Sequence, residues 1–267
     1  MRPAEPAVAH AVHVRRTASL TGGFPARSTA LRAAFTKNYG DRVPPAHGRR
    51  LPGITGVEAA RWGALALCVR PAYIVTELIV AAATKGGYSL LSDPVSRLGE
   101  VGCTAVYCSP RHELMNGSFM AFGALLVGGA VLLSRAVGPW VTGLLVVSGL
   151  SSVATGLAPL DQDATLHTIS AAPLFVAQPI ALVVLGARLR DDRPRLGGAL
   201  LAAGVVTATA ATGFVLSGDG PASGALERLA LWPVLVALAG FAGTQLLPDG
   251  GPRRGHRSVS PSNESAG

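Results

Sequence analysis

Gly156-Leu-Ala-Pro-Leu-Asp-Gln-Asp-Ala-Thr-Leu-His-Thr-Ile-Ser170 is a short polar turn between two long apolar runs, 139–158 and 166–187. It gathers Asp161, Asp163 and His167 within seven residues. Each flanking run approaches the ~20 residues that cross ~30 Å of hydrocarbon at 1.5 Å per residue. Four more runs of this kind occur, at about 62–84, 117–134, 196–217 and 229–247. Inside lipid a helix satisfies its own backbone donors and acceptors, so the six runs predict six spanning helices. A transmembrane β-barrel would show short alternating segments instead, and none is visible.

Composition agrees. Of 267 residues 49% are hydrophobic and 14% charged, where a soluble domain carries roughly 25% charged residues. Mean hydropathy is +0.41. The formal net charge of +8 invites a nucleic-acid reading, but the basic residues follow the loops of a membrane protein instead. With the N-terminus inside, the inner segments hold eighteen Lys/Arg and the outer segments four, namely Lys85, Arg97, Arg111 and Arg228. Cytoplasmic loops carry the excess of basic residues, so the expected topology is N-in and C-in. The lipid bilayer is the expected partner and nucleic acid is not. Residues 1–57, rich in Pro, Ala, Arg and Gly, read as a disordered basic cytoplasmic tail; 58–248 form the six-helix domain, and 249–267 a second cytoplasmic tail. The fold class is therefore all-α, a polytopic bundle in the cell membrane. Oligomeric state leaves no mark in the sequence.

The first outer loop, 85–116, is the longest. Gly86 to Gly99 is mildly amphipathic and is expected at the membrane interface. Cys103 and Cys108 are placed to close a disulfide on the oxidising side, while Cys68 lies inside helix 1 and reads as packing. Small residues recur at helical spacing (Gly204, Ala208 and Thr212; Ala239 and Gly243), which lets helices approach closely. No internal repeat of the transporter kind is present.

Three segments carry a resemblance. They are Gly87-Tyr88 with Val95-Ser96-x-Leu98-Gly99, Asn116-Gly-Ser-Phe-Met-Ala-Phe-Gly123, and Gly156-x-x-Pro159-x-Asp161 leading to Leu166-His167. In this order the chain, over roughly 60–247, resembles the prokaryotic six-helix membrane proteins of the domain of unknown function 998 family. The resemblance implies an integral membrane protein and lends no catalytic residues. The cysteine pair and the long basic tail depart from the family pattern.

Candidate site residues follow from the cost of polarity in lipid. Arg70 and Glu77 fall within the first run, each ~12 Å from its nearer membrane edge, ~10 Å apart along the axis and on one face with Tyr73 between them. A charge at that depth costs at least ~2.5–3.5 kcal/mol, so both are expected to face the bundle interior. They line either a polar ligand pathway or a purely structural set of hydrogen bonds. His167 and, eleven residues on, Gln178 share a face of helix 4. Ser148, Ser151, Ser152 and Thr155 form a polar stripe on helix 3, as a seam or as interhelical glue. Pro173 and Pro179 are expected to bend helix 4. The ligand-binding candidates are thus Arg70, Tyr73, Glu77, Asp161, His167 and Gln178.

A sharper reading joins His112 and Glu113 to Asp161, Asp163 and His167 as a divalent-metal site that activates water. Capping of helix 4 by Asp163 or Thr165 explains part of the same set. No H-E-x-x-H, P-loop, dinucleotide or nucleophile-elbow motif occurs in a usable context, and no cofactor is identified. Three roles follow: binding or moving a small or lipid-like ligand through an outward-facing polar pocket, metal-assisted hydrolysis or group transfer, and structural partnership with another membrane protein.

Overall fold

The computed structural model describes residues 56–218 and 220–247. The expected tails at 1–57 and 249–267 therefore lie, but for Gly56 and Val57, outside the described residues. Within them the regular structure is helical, apart from one isolated antiparallel bridge between Lys85 and Cys108. The helices are α1 (Gly56–Val69), α2 (Ala72–Ala83), α3 (His112–Leu132), α4 (Pro139–Leu157), α5 (Ala164–Leu189), α6 (Pro194–Ser217) and α7 (Ser223–Leu246). One-turn helix Ser134–Val137 and a 3₁₀ turn, Val95–Gly99, complete the set. Six apolar stretches are long enough to cross a membrane, with α1 and α2 together, Gly56–Ala83, forming the first. The chain is a multi-pass membrane protein.

The first span differs from the unbroken helix expected for it. Pro71 lacks an N–H and disfavours helical geometry at the residue before it. The chain passes the break on tighter bonds, Arg70 N to Leu67 O at 3.3 Å and Tyr73 N to Arg70 O at 3.0 Å. α5, by contrast, runs through Pro173 and Pro179. Beside Pro173, Ser151 of α4 repairs the ladder. Its hydroxyl accepts from Leu174 N at 3.1 Å and donates to Ser170 O, so a side chain stands between two backbone groups that normally bond each other.

The spans pack as a closed ring in which α1 meets α3, then α4, α5, α6 and α7 follow in sequence, and α7 returns to α1. Glycines set the closest approach. A Cβ on Gly149 would lie 2.7 Å from the Gly123 carbonyl oxygen, and one on Gly123 would lie 2.6 Å from that of Gly149. The ring is filled unevenly. Leu67, Leu126, Leu133, Leu145, Leu182, Leu185, Leu238 and Phe241 form a dry core, in the half where α1 begins and α7 finishes. The opposite half, under the loops at 84–111, 158–163 and 218–222, is more polar.

The first loop turns part of its apolar surface inward and leaves Leu90 and Leu91 exposed. Val95 and Leu98 are fully buried and pack with Tyr73, Val80, Met115, Phe119 and Leu235. The loop is thus a plug in the end of the ring, with Val95 and Leu98 pointing into protein. Cys103 and Cys108 are bonded to each other. Tyr107 donates to Arg97 O at 2.6 Å, Ser109 to Leu98 O at 2.7 Å, and Asn116 Nδ2 to Gly99 O at 2.8 Å.

Candidate functional site

α7 begins six residues before the run expected at 229, and this places Glu227 and Arg228 inside the bundle. Arg228, expected in an outer loop, is 5% exposed. Its Nε donates to Glu77 Oε1 at 2.7 Å, and its two Nη groups reach the carbonyls of Leu90, Asp93 and Gly224 and the hydroxyl of Tyr88. The other Glu77 oxygen accepts from Trp232 Nε1 at 2.9 Å. A guanidinium offers five N–H donors in a planar fork, and here they tie α2, α7 and the plug together. Next door, Glu227 Oε2 accepts from Val95 N at 2.5 Å, capping the 3₁₀ turn from 132 residues away. In the plug, burial pushes the Tyr88 hydroxyl well above its usual range against the opposing pull of Arg228.

This pairing changes the roles expected for Arg70 and Glu77. Glu77 is wholly buried and belongs to a structural ion pair, outside the walls of the cavities described below. Arg70 has no carboxylate partner among the described residues. It is 3% exposed, its Nε donates to Phe122 O at 3.2 Å, and its Nη1 meets no acceptor. The Tyr73 hydroxyl and the Ser223 hydroxyl are likewise buried without partners among the described residues.

Two adjacent cavities that share wall residues occupy the polar half. The inner chamber is open to the centre of a water-sized sphere over about 50 Å³ and is walled by Arg70, Tyr73, Ser152, Thr155, Gln178 and Leu235, among others. The second is a groove of about 460 Å³ by the same measure, between α5, α6 and α7. Ser96, His167, Ala171, Phe175 and Glu227 belong to both walls. His167 Nδ1 lies 2.7 Å from Ala158 O. A carbonyl only accepts, so Nδ1 carries a proton in this contact. Gln178 Nε2 donates to Ser148 at 2.8 Å, and Ser152 donates to Phe119 O at 2.8 Å. The α4 stripe therefore bonds helices to each other while also edging the chamber.

Of the six ligand-binding candidates, Arg70, Tyr73, His167 and Gln178 share the chamber wall; Glu77 and Asp161 do not. Asp161 instead accepts from Val101 N at 3.1 Å and Gly102 N at 2.7 Å. Partial burial pushes its carboxyl up, but those N–H groups outweigh it and hold the group below the usual carboxylate range. The metal set is not assembled. Asp163 caps α5 through Leu166 N at 2.9 Å, His112 Nδ1 lies 3.0 Å from Ser109 O, and His167 faces Ala158. Among the described residues no three His, Cys, Asp or Glu side chains come together as a metal site. The physical reason is that Asp161, Asp163, His112 and His167 are each spent on a nearby backbone donor or acceptor. Sequence reasoning missed Glu227; the available signal was a Glu-Arg pair directly before an apolar run.

The segments that carried the resemblance converge at this end of the ring. Gly99 accepts from Asn116, Asp161 holds the backbone after Gly99, and a Cβ on Gly156 would lie 2.6 Å from Asn116 O. No curated protein and no solved structure matches the chain. Residues 62–244, from within α1 to the last turn of α7, match the family described as Protein of unknown function (DUF998), and on that match the chain belongs to this family.

Proposed function

We propose that the protein binds, in the cell membrane, a small or lipid-like ligand whose polar end occupies the Arg70 chamber, with the chamber toward the outer face. One observation carries the reading. A guanidinium is buried beside a cavity with one hydrogen-bonding group unused, and a buried cation without a partner is costly. Polar residues of this kind inside membrane bundles mark ligand or ion pathways. The excess of basic residues on the termini's side supports the outward placement, since that side then faces the cytoplasm.

Arg70→Gln supplies the test. In ligand-free protein it removes an unpaired buried charge at the cost of one hydrogen bond, so thermal stability is expected to hold or rise by about 1 kcal/mol. Native mass spectrometry of protein purified in mild detergent is expected to show a bound small molecule on the wild type and none on Arg70→Gln. Equal occupancy of both proteins, or a wild type that carries nothing and is stabilised by no extract of its own membranes, refutes the reading.

A further inference from the structure

Resting on that reading, we infer that the ligand is an acyl carboxylate: a carboxylate head in the chamber against Arg70 and the Tyr73 hydroxyl, with its chain along the groove between α5, α6 and α7. The head follows from charge and size. Arg70 Nη1 and the Tyr73 hydroxyl are two buried groups without partners in one wall, on side chains 3% and 5% exposed. Arginine's planar fork matches a carboxylate. One water needs roughly 10–15 Å³ by the measure that gives the chamber about 50 Å³, so the space suits a head group of a few heavy atoms and excludes a sugar.

The charge count limits the head group to a single negative charge at most. Glu77 and Arg228 neutralise each other at 2.7 Å. That leaves Arg70 and Glu227 in the chamber wall, one of each sign. A monoanion adds one charge to a wall that sums to zero, and it faces Arg70 while Glu227 is held on Val95 N. A phosphate carrying nearly two charges would add to the Glu227 repulsion in a low-dielectric site.

The chain follows from the groove. Ala171, Ala172, Phe175 and Val176 of α5 face Phe214 and Val215 of α6 across it. Val176 is 61% and Val215 72% exposed, so the mouth lies on the flank of a bundle whose flank meets hydrocarbon. A ligand enters there sideways, its chain never leaving an apolar medium, while its head passes Ser96, His167 and Glu227 into the chamber. About 460 Å³ lies within the ~300–1,000 Å³ typical of small-molecule sites.

The test uses full-length protein in phosphatidylcholine nanodiscs and three probes: dodecanoate, butyrate and the uncharged glycerol monoester of dodecanoate. Dodecanoate is expected to raise the melting temperature in a dose-dependent way and to bind at least ten-fold more tightly than either other probe. Arg70→Gln is expected to abolish its preference over the monoester. Ala172→Trp, which fills the groove mouth and leaves Arg70 in place, is expected to weaken dodecanoate at least ten-fold and butyrate little. Equal binding of the monoester overturns the anionic head, and equal binding of butyrate overturns the chain; either leaves the Arg70 chamber standing as a ligand site. Failure of dodecanoate to bind, with a different molecule on the wild type that Arg70→Gln loses, overturns this inference alone. Failure of all three probes with equal occupancy of wild type and Arg70→Gln overturns both.

Discussion

Two arginines buried in one bundle have opposite situations. Arg228 spends its donors on α2, α7 and the plug, whereas Arg70 keeps one group unused. Removing one partner of a buried ion pair strands the other and costs about 3–5 kcal/mol. Arg228→Met should therefore destabilise the protein by that amount in detergent unfolding, and Glu77→Gln by somewhat less, since the amide oxygen still accepts from one of Trp232 and Arg228. The double variant should lose less than the sum of the two, because neither charge is then left alone; strict additivity would show that the pair is not coupled. The sequence made Arg70 and Glu77 legible, since charges within an apolar run stand out. It concealed the partner. Ser223-Gly-Ala-Leu-Glu-Arg228 has too little apolar character to read as membrane helix, and its burial comes only from the plug that covers it.

At the scale of elements, the α3–α4 contact and the tether of the plug make separate claims. Gly149→Leu forces side-chain atoms into the Gly123 backbone, and overpacking of this kind costs about 1–3 kcal/mol. Gly243→Leu meets open space and should be near neutral, although both glycines look alike in sequence. Thermal unfolding of the two variants separates them. The Asp161 tether carries a pH dependence. Its folded pKa is depressed from 3.8, so its contribution is complete above that value and fades as the pH falls through the folded pKa. Wild type should exceed Asp161→Asn in melting temperature at pH 7, and the gap should shrink as the pH falls below 3.8. A gap of constant size would mean that the carboxylate's charge is not what holds Val101 and Gly102. Element positions were largely legible, because apolar runs near twenty residues long have few other uses. The break at Pro71 was not legible, since helices run through Pro173, Pro179 and Pro233 in similar apolar runs, and neither was the inward turn of Val95 and Leu98. An amphipathic segment of that length suits a membrane surface and a ring's end equally well.

For the whole molecule, the ring is packed dry at the end where α1 begins and α7 finishes and is polar under the three loops at the other end. That asymmetry was invisible in hydropathy alone, because Arg70, the His167–Gln178 pair and Glu227 come from three spans and only closure of the ring brings them to one cavity. Which end meets the outside decides whether the proposed ligand would come from the outer or the inner leaflet. Single cysteines at two exposed turns resolve this in a Cys68→Ala background, since Cys68 is the free thiol among the described residues. Gln162→Cys marks the α4–α5 turn on the chamber side, and Asp191→Cys marks the α5–α6 turn on the other. A maleimide that does not cross membranes, added to intact cells, should label Gln162→Cys and leave Asp191→Cys unlabelled until the cells are opened. Labelling of Asp191→Cys with Gln162→Cys protected, or of both in intact cells, would contradict a six-span bundle with its chamber toward the outer face.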